Sequence, residues 1–217
     1  CTFVLGGSKV SDAFLMMETV LKGGVADRIL TGGLVGNILL AAKGEEIGQG
    51  SLDFIYKTNY GEYIEIAKGL YEKYADQITL PVDLGYVENG VRRECRVGAV
   101  PETIAAVDIG AQSAKLYQEL ILSSRTVFVN GPMGVFEQDV SELGTKVVFE
   151  ALGATSAYTV VGGGDSVVAA TKYRQTENIS YVCTGGGALI RFLTGEELPV
   201  VHALRHGTEK FGQEKEK

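Results

Sequence analysis

Short apolar runs alternate along the chain with longer segments in which apolar residues recur every three or four positions. Runs rich in β-branched and aromatic residues predict strands, and the longer spacing predicts helices that bury one face. The pattern predicts strands at residues 3–5, 27–31, 78–87, 105–110, 126–129, 157–161 and 181–184. It predicts helices at residues 10–22, 34–43, 60–74, 113–122, 141–152 and 167–174, and one from 186 or 187 to about 195. This alternation indicates an α/β fold with a doubly wound, mainly parallel sheet in the Rossmann-like three-layer arrangement.

Three segments fall outside the alternation. Asn89-Gly90 is a strong turn signal, and it predicts a small antiparallel hairpin between residues 86–87 and 95–97. Residues 44–51 are glycine-rich and polar, which indicates a surface connection. The segment 206–217 is charged, and we expect a mobile tail there. No domain boundary is visible, so residues 1–217 are predicted to form one domain.

One junction between a predicted strand and a predicted helix reads Gly162-Gly163-Gly164-Asp165-Ser166. Glycines remove the Cβ atoms that would block a ligand, and the helix that follows offers unpaired N–H groups with positive dipole character. The junction therefore predicts a phosphate site. Asp165 has two interpretations: it caps the helix through its side chain, or it holds the Mg²⁺ that accompanies a nucleotide polyphosphate. Both roles stay open, and they are compatible.

Three other predicted strands end in glycines. Gly6-Gly7-Ser8-Lys9, Gly32-Gly33 and Gly185-Gly186-Gly187 each separate an apolar run from a helical pattern. In an open parallel sheet such junctions lie along the C-terminal edge of the strands, where ligands bind at the switch in strand order. We therefore expect several glycine-rich loops to line one cleft. Lys9 is either a solvated surface lysine or a cation placed over phosphate oxygens.

Composition and charge limit the class of partner. The formal net charge of -7 over 217 residues argues against general nucleic-acid binding. No apolar run approaches the roughly 20 residues of a membrane span. Cys1, Cys95 and Cys183 lack the spacing of a metal site, and we infer a reducing, cytoplasmic compartment without disulfides. Because the chain begins at Cys1 inside a glycine motif, we expect it to be a fragment.

Several common catalytic motifs are absent from the sequence. There is no Walker-type G-x-x-x-x-G-K-[ST] run, no G-x-G-x-x-G fingerprint and no nucleophile elbow. These absences argue against a P-loop NTPase and count against a dinucleotide-dependent oxidoreductase. His202 and His206 have no credible partner for a catalytic triad, and we expect both to be surface residues.

Four motifs follow one another in a characteristic order. They are GGSKVSD at residues 6–12, NGPMGVFE at 130–137, GGGDS at 162–166 and TGGGA at 184–188, with LPVV at 198–201 after the last predicted helix. In order and separation they resemble the phosphoglycerate kinase family. The resemblance covers nearly the whole chain and is to the C-terminal, nucleotide-binding domain of that two-domain enzyme. The hairpin and the run DIGA at residues 108–111 favour an archaeal-type member.

The resemblance implies a kinase that transfers the acyl phosphate of 1,3-bisphosphoglycerate to ADP in glycolysis. It implies that Asp165 coordinates Mg²⁺ and that Ser166 and its helix start meet the nucleotide phosphates. Lys9 would contact the phosphoryl group, Asn130 the phosphate chain and Glu137 the ribose hydroxyls. The nucleotide-binding positions implied are Gly7, Lys9, Gly32, Gly33, Gly110, Asn130, Pro132, Glu137, Gly163, Gly164, Asp165 and Ser166, with Val107 beside the adenine pocket. The catalytic positions implied are Lys9, Gly164 and Gly187, and the phosphoglycerate side is formed by Thr184, Gly185, Gly186 and Gly187.

Two positions depart from the family pattern. Ala13 stands where many members carry a second lysine, so one phosphate-neutralising charge is missing or supplied elsewhere. Cys183 stands where serine is common, and we expect a small buried residue there. Because the absent N-terminal domain would bind phosphoglycerate, we expect this chain to bind Mg-nucleotide without turnover. The alternative is a free-standing nucleotide-binding or interaction module without catalytic activity.

Overall fold

A computed structural model describes residues 1–211, the last of them by its backbone only. The strands within this range are β1 Thr2–Leu5, β2 Arg28–Thr31, β3 Ile78–Thr79, β4 Asp83–Glu88, β5 Val91–Arg96, β6 Ala106–Ile109, β7 Thr126–Asn130, β8 Tyr158–Gly162 and β9 Tyr181–Cys183. Six of them form one parallel sheet in the order β3-β2-β1-β7-β8-β9. The direction of strand addition reverses between β1 and β7, so a ligand crevice is expected beyond the C-terminal ends of these two strands.

Helices cover both faces of the parallel sheet. They are α1 Val10–Lys22, α2 Gly33–Ala42, α3 Gln49–Lys57, α4 Tyr63–Tyr74, α5 Ala111–Leu122, α6 Leu143–Ala154, α7 Gly164–Lys172 and α8 Gly186–Leu193. A further helix, α9 Pro199–Phe211, is almost entirely exposed over its described side chains and contributes to neither core. Phe3 and Leu5 belong to the core beneath α1 and α2, whereas Val4 between them belongs to the core beneath α5 and α6. Because successive residues of a strand point to opposite faces, the apolar run of β1 serves both cores. The predicted doubly wound, three-layer fold is confirmed.

A second, antiparallel sheet has the strand order β5-β4-β6. Its hairpin turns at Asn89 and Gly90, whose φ angles of 52° and 77° are those of a tight turn with two left-handed residues. The predicted hairpin is therefore confirmed. The strand predicted at 78–87 divides at Pro81, so that β3 joins the parallel sheet and β4 joins the small sheet. Proline lacks the N–H that a continuous ladder needs.

Two segments differ from the sequence expectation. The surface connection predicted at 44–51 ends in α3, whose Ile55 is fully buried and whose Gly50 packs against the backbone of Ile104. The charged segment predicted from His206 is helical as far as Phe211, in a helix that begins at Pro199, a favourable first position. Residues 212–217 of that predicted tail lie outside the described residues. No helix in the described range combines the length and apolarity needed to cross a membrane.

Candidate functional site

A cavity of about 310 Å³ opens at the C-terminal edge of the parallel sheet. The part of the lining that we call the apolar end is formed mainly by Leu34, Phe54, Pro81, Val107, Ile109 and Pro132, and it also includes the buried Asp108. The other end is polar, with Ser8, Glu137 and Asp165 in the lining. A narrower cleft continues from the polar end, because Gly7, Ser8 and Asp165 line both openings. An elongated groove that changes from apolar to polar suits a ligand with a flat base at one end and charge at the other.

The loops after β1 and β7 meet at the centre of this groove. The Gly6 N–H donates to the Asn130 carbonyl at 3.0 Å, and the Gly7 N–H donates to the Pro132 carbonyl at 2.7 Å. A Cβ at Gly131 would lie 2.2 Å from the Gly6 carbonyl oxygen, so this approach requires glycine. The first and second sequence motifs are thus joined at the switch in strand order.

Gly32 and Gly33 connect β2 to α2 beside the apolar end of the cavity. The Gly33 N–H donates to the Met133 carbonyl at 2.8 Å, which ties this junction to the loop after β7. The end of β2 is held from the opposite face by Tyr117, whose hydroxyl donates to the Thr31 carbonyl at 2.7 Å. Both glycines line the cavity, as expected.

Lys9 and Asp165 face one another across the polar end. Lys9 Nζ lies 3.4 Å from Asp165 Oδ2, and both side chains are about half-exposed. The N-cap of α7 is Gly163, and Asp165 makes no capping hydrogen bond, so the capping interpretation of Asp165 was wrong. Its carboxylate is therefore available to a cation, and among the described residues that line the cavity and cleft Lys9 supplies the only positive side chain.

Ser166 and Asn130 lie beside this pair. Ser166 is fully buried, and its Oγ accepts a hydrogen bond from the Gly131 N–H at 2.7 Å. The hydroxyl thus fastens the loop after β7 to the first turn of α7. The backbone N–H groups of that turn have no partner within the helix, as in any helix start, and can meet an anion. Asn130 lines the same cleft next to Gly163.

The structure separates the remaining predicted residues into two groups. Glu137 is exposed and lines the cavity. Gly110 does not line it, and a Cβ at this position would lie 2.2 Å from Cγ of the buried Asp83. The fourth motif lies next to the third: a Cβ at Gly186 would be 2.7 Å from Gly163 Cα. Thr184 and the glycines at 185–187 line neither the cavity nor the cleft.

Four further residues had a sequence expectation that the structure can be compared with. Cys183 is half-buried rather than buried, while His202 and His206 are exposed as predicted. Ala13 is buried in the core of α1, so this position contributes no charge to the groove.

Asp108 is a cavity-lining residue that the motif analysis missed. It is buried, its Oδ2 accepts hydrogen bonds from Arg92 at 2.9 Å and from the Gly144 N–H at 3.0 Å, and its Oδ1 accepts one from Ile109. Burial raises the pKa of Asp108 to about 6, although these hydrogen bonds and the charge of Arg92 oppose the rise. The signal in the sequence was an aspartate inside an otherwise apolar strand. A carboxylate buried there needs hydrogen-bonding partners, and their presence could have been expected.

The donor set suits a magnesium ion shared with a ligand. Within residues 1–211, no group of three or more His, Cys, Asp and Glu side chains is placed to hold a metal ion. Mg²⁺ commonly takes one or two carboxylates and completes its octahedron with phosphate oxygens and water. Asp165, exposed beside a helix start, fits that arrangement.

Comparison with known proteins agrees with the geometry. The sequence model of the family "Phosphoglycerate kinase" matches residues 1–196. The phosphoglycerate kinase of Methanothermus fervidus is 38% identical over 210 residues, which are 97% of this chain and 51% of that protein. That of Methanothermobacter thermautotrophicus is 40% identical over 204 residues, or 94% of this chain and 49% of that protein. The crystal structure of phosphoglycerate kinase from Pyrococcus horikoshii OT3 superposes with a TM-score of 0.90 at 38% identity, covering 97% of this chain and 53% of that one. The chain spans about half the length of the curated relatives it matches.

Proposed function

This chain belongs to the phosphoglycerate kinase family, and from that premise we propose that it is the nucleotide-binding half of such a kinase. The reaction proposed for the whole enzyme is the reversible transfer of a phosphoryl group from 1,3-bisphosphoglycerate to ADP, a step of glycolysis in the cytoplasm. The observation that carries the proposal is the continuous groove from the apolar cavity to the Lys9–Asp165 pair at the edge of the sheet.

Each part of the groove suits one part of ADP. The apolar end would hold adenine between the Gly32-Gly33 junction and Pro132, and the Glu137 carboxylate would accept hydrogen bonds from the ribose hydroxyls. The first turn of α7 would donate N–H groups to the phosphates, a role that helix starts commonly serve. Asn130 and Gly163 would border the phosphate chain in the narrower cleft.

Lys9 and the Mg²⁺ held by Asp165 would neutralise the negative charge of the polyphosphate. Asp165 would hold Mg²⁺, which supplies neutralisation of the phosphate oxygens during transfer. Lys9 would exchange its contact with Asp165 for one with the phosphoryl oxygens. Because transfer needs little covalent chemistry, alignment and charge stabilisation by these residues would account for their part of catalysis.

The other half of the enzyme would bring phosphoglycerate to this surface. Thr184 and the glycines at 185–187 open α8 beside the third motif, and we propose that they face the phosphoglycerate side, with Gly164 and Gly187 close to the transferred group. The chain alone would therefore bind Mg-nucleotide and show essentially no turnover.

Calorimetric titration of this chain with ADP, with and without Mg²⁺, tests the proposal. We expect Mg²⁺ to raise the affinity for ADP at least about tenfold, the effect of one contact to a charged ligand. We expect D165N to lose this gain in affinity. D76N is the matched control, because Asp76 is an exposed aspartate that does not line the groove. Binding of NAD instead of ADP would favour the oxidoreductase alternative, and phosphoglycerate-dependent turnover by the chain alone would contradict the expected need for the other half.

A further inference from the structure

Lys172, the last residue of α7, connects this helix to the loop that carries Glu137. Its Nζ donates a hydrogen bond to the Phe136 carbonyl at 2.7 Å. The same ammonium lies 2.7 Å from Glu142 Oε2 and 3.4 Å from Asp139 Oδ1. One charge thus contacts the backbone immediately before Glu137 and two carboxylates that follow it in the chain.

The loop is anchored from the opposite side by β6. The Val135 N–H donates to the Val107 carbonyl at 2.8 Å, and the Phe136 side chain is buried. Ser141 Oγ adds a hydrogen bond to the Val135 carbonyl at 2.7 Å. The Phe136 carbonyl is held by Lys172, so the backbone that presents Glu137 is fixed from two directions.

The Lys172 contacts are partly shielded from water. The side chain of Lys172 is 32% exposed and that of Glu142 is 19% exposed. Glu142 also accepts a hydrogen bond from the Tyr173 hydroxyl at 3.3 Å, which restrains the carboxylate. The hydrogen bond to Glu142 is the largest cause of a raised pKa at Lys172, so this lysine stays charged. Charge-assisted hydrogen bonds in such surroundings are stronger and shorter than neutral ones.

Helix α7 carries a functional group at each end. Asp165 lies in its first turn and Lys172 lies two turns later, about 10 Å along the axis. The helix that begins at the phosphate-facing end of the groove therefore ends in contact with the backbone that precedes Glu137.

We propose that Lys172 is a positioning residue that holds Glu137 against the ribose hydroxyls of the nucleotide. The proposal rests on the ribose role of Glu137 given above. The alternative is that Lys172 only stabilises the packing of α7 on α6. The two differ in the ligand they affect: a positioning role changes the recognition of ribose hydroxyls, whereas a packing role changes the affinity for every nucleotide alike.

The experiment compares Mg-ADP with Mg-2′,3′-dideoxy-ADP, which lacks both hydroxyls, in the 217-residue chain. We expect the wild type to bind Mg-ADP about tenfold or more tightly than the dideoxy analogue, because a hydrogen bond to a charged group contributes an effect of this size. E137Q should lose most of this preference, and K172M should reduce it at least about threefold. The double variant should match E137Q, because both substitutions act on one interaction. K146M is the control, because Lys146 is an exposed lysine on α6 that lines a shallow surface depression together with Lys172.

Each result decides a separate point. An unchanged ADP preference in K172M, with E137Q impaired, would overturn the positioning role while leaving the proposed function intact. Failure of the wild-type chain to bind ADP would overturn the proposed function, and the positioning role with it. If K172M does not fold by circular dichroism, E142Q carries the same test, because it removes the carboxylate that orients Lys172. A preference in E142Q equal to that of the wild type would then refute the proposal.

Discussion

Arg92 reaches across β4 to Asp108, and its Nη1 lies 2.9 Å from Oδ2 of that carboxylate. The two residues belong to β5 and β6, the outer strands of the small sheet. Gly85 on the strand between them leaves the necessary space, since a Cβ there would lie 2.7 Å from Arg92 Nη2. Asp108 lines the cavity, so a largely buried ion pair joins the hairpin to the wall of the site.

The raised pKa of Asp108 predicts a pH dependence of stability. Because its pKa of about 6 in the folded protein exceeds the ordinary value of 3.8, the native state binds the proton more tightly than the unfolded chain. This contribution is fully present below about pH 4 and is lost as the pH rises through about 6. Relative to D108N, the wild type should gain up to roughly 3 kcal/mol in the free energy of unfolding between pH 7 and pH 4.

Urea unfolding of both proteins at several pH values measures this difference. The other carboxylates titrate in both proteins, so their contribution cancels in the difference in unfolding free energy between the wild type and D108N. If the wild type instead loses stability relative to D108N toward pH 4, then the Arg92 ion pair outweighs desolvation and the pKa of Asp108 is lowered.

Removal of the charge of Lys9 should weaken binding of the nucleotide. K9M keeps the length of the side chain, and we expect about a tenfold or greater loss of affinity for Mg-ADP, typical of a lost contact to a charged group. K43M is the control, since Lys43 pairs with Glu45 and does not line the groove. Calorimetry of the three proteins decides the point, and equal affinities would remove Lys9 from the site.

The fold was largely predictable because its elements are locally encoded. The β-branched run of β8 and the periodic apolar residues of α1 predict the right structures without reference to the rest of the chain. Helix α3 was missed because Gly48 and Gly50 lower local propensity, and its stability comes from distant packing of Ile55. Whether such a segment becomes a helix depends on tertiary contacts, which no local sequence pattern shows.

The site was predictable where it depends on strand ends. Parallel strands bring the loops after β1, β2, β7 and β8 to one edge, so Gly7, Gly33, Glu137 and Asp165 were expected together and line one groove. The position of Gly110 against Asp83 depends on the small sheet, which motif order does not reveal. The cavity position of Asp108, on β6 of the small sheet, was missed for the same reason, whereas that of Phe54 was missed because it lies on α3.

Gly33 offers a direct test of the apolar end. Its φ is +57°, and a Cβ would lie 2.8 Å from the Gly7 amide nitrogen, so G33A adds a backbone collision to conformational strain. We expect a loss of about 2–5 kcal/mol in unfolding free energy together with weaker ADP binding. G24A is the matched control, because Gly24 has a φ of +62° and nothing within 4 Å of its Cβ position.

G24A should therefore show strain alone, about 1–2 kcal/mol, with unchanged ADP affinity. Urea unfolding and calorimetry on both variants give the comparison. Similar losses of stability in the two variants would mean that the loop after β1 yields to the methyl group, and normal ADP binding by G33A would place the base elsewhere.

Ser166 and Gly131 provide the last prediction, since their hydrogen bond joins the loop after β7 to the phosphate-facing start of α7. S166A would leave the Gly131 N–H without this buried acceptor, at a cost of about 1–3 kcal/mol in unfolding free energy. T171A is the control on the same helix, because the exposed Thr171 hydroxyl only donates to the Val167 carbonyl one turn earlier. The loosened loop should also weaken Mg-ADP binding in S166A and not in T171A. Equal stabilities in urea would show that another group satisfies the Gly131 N–H, and the link from loop to helix would then not depend on Ser166.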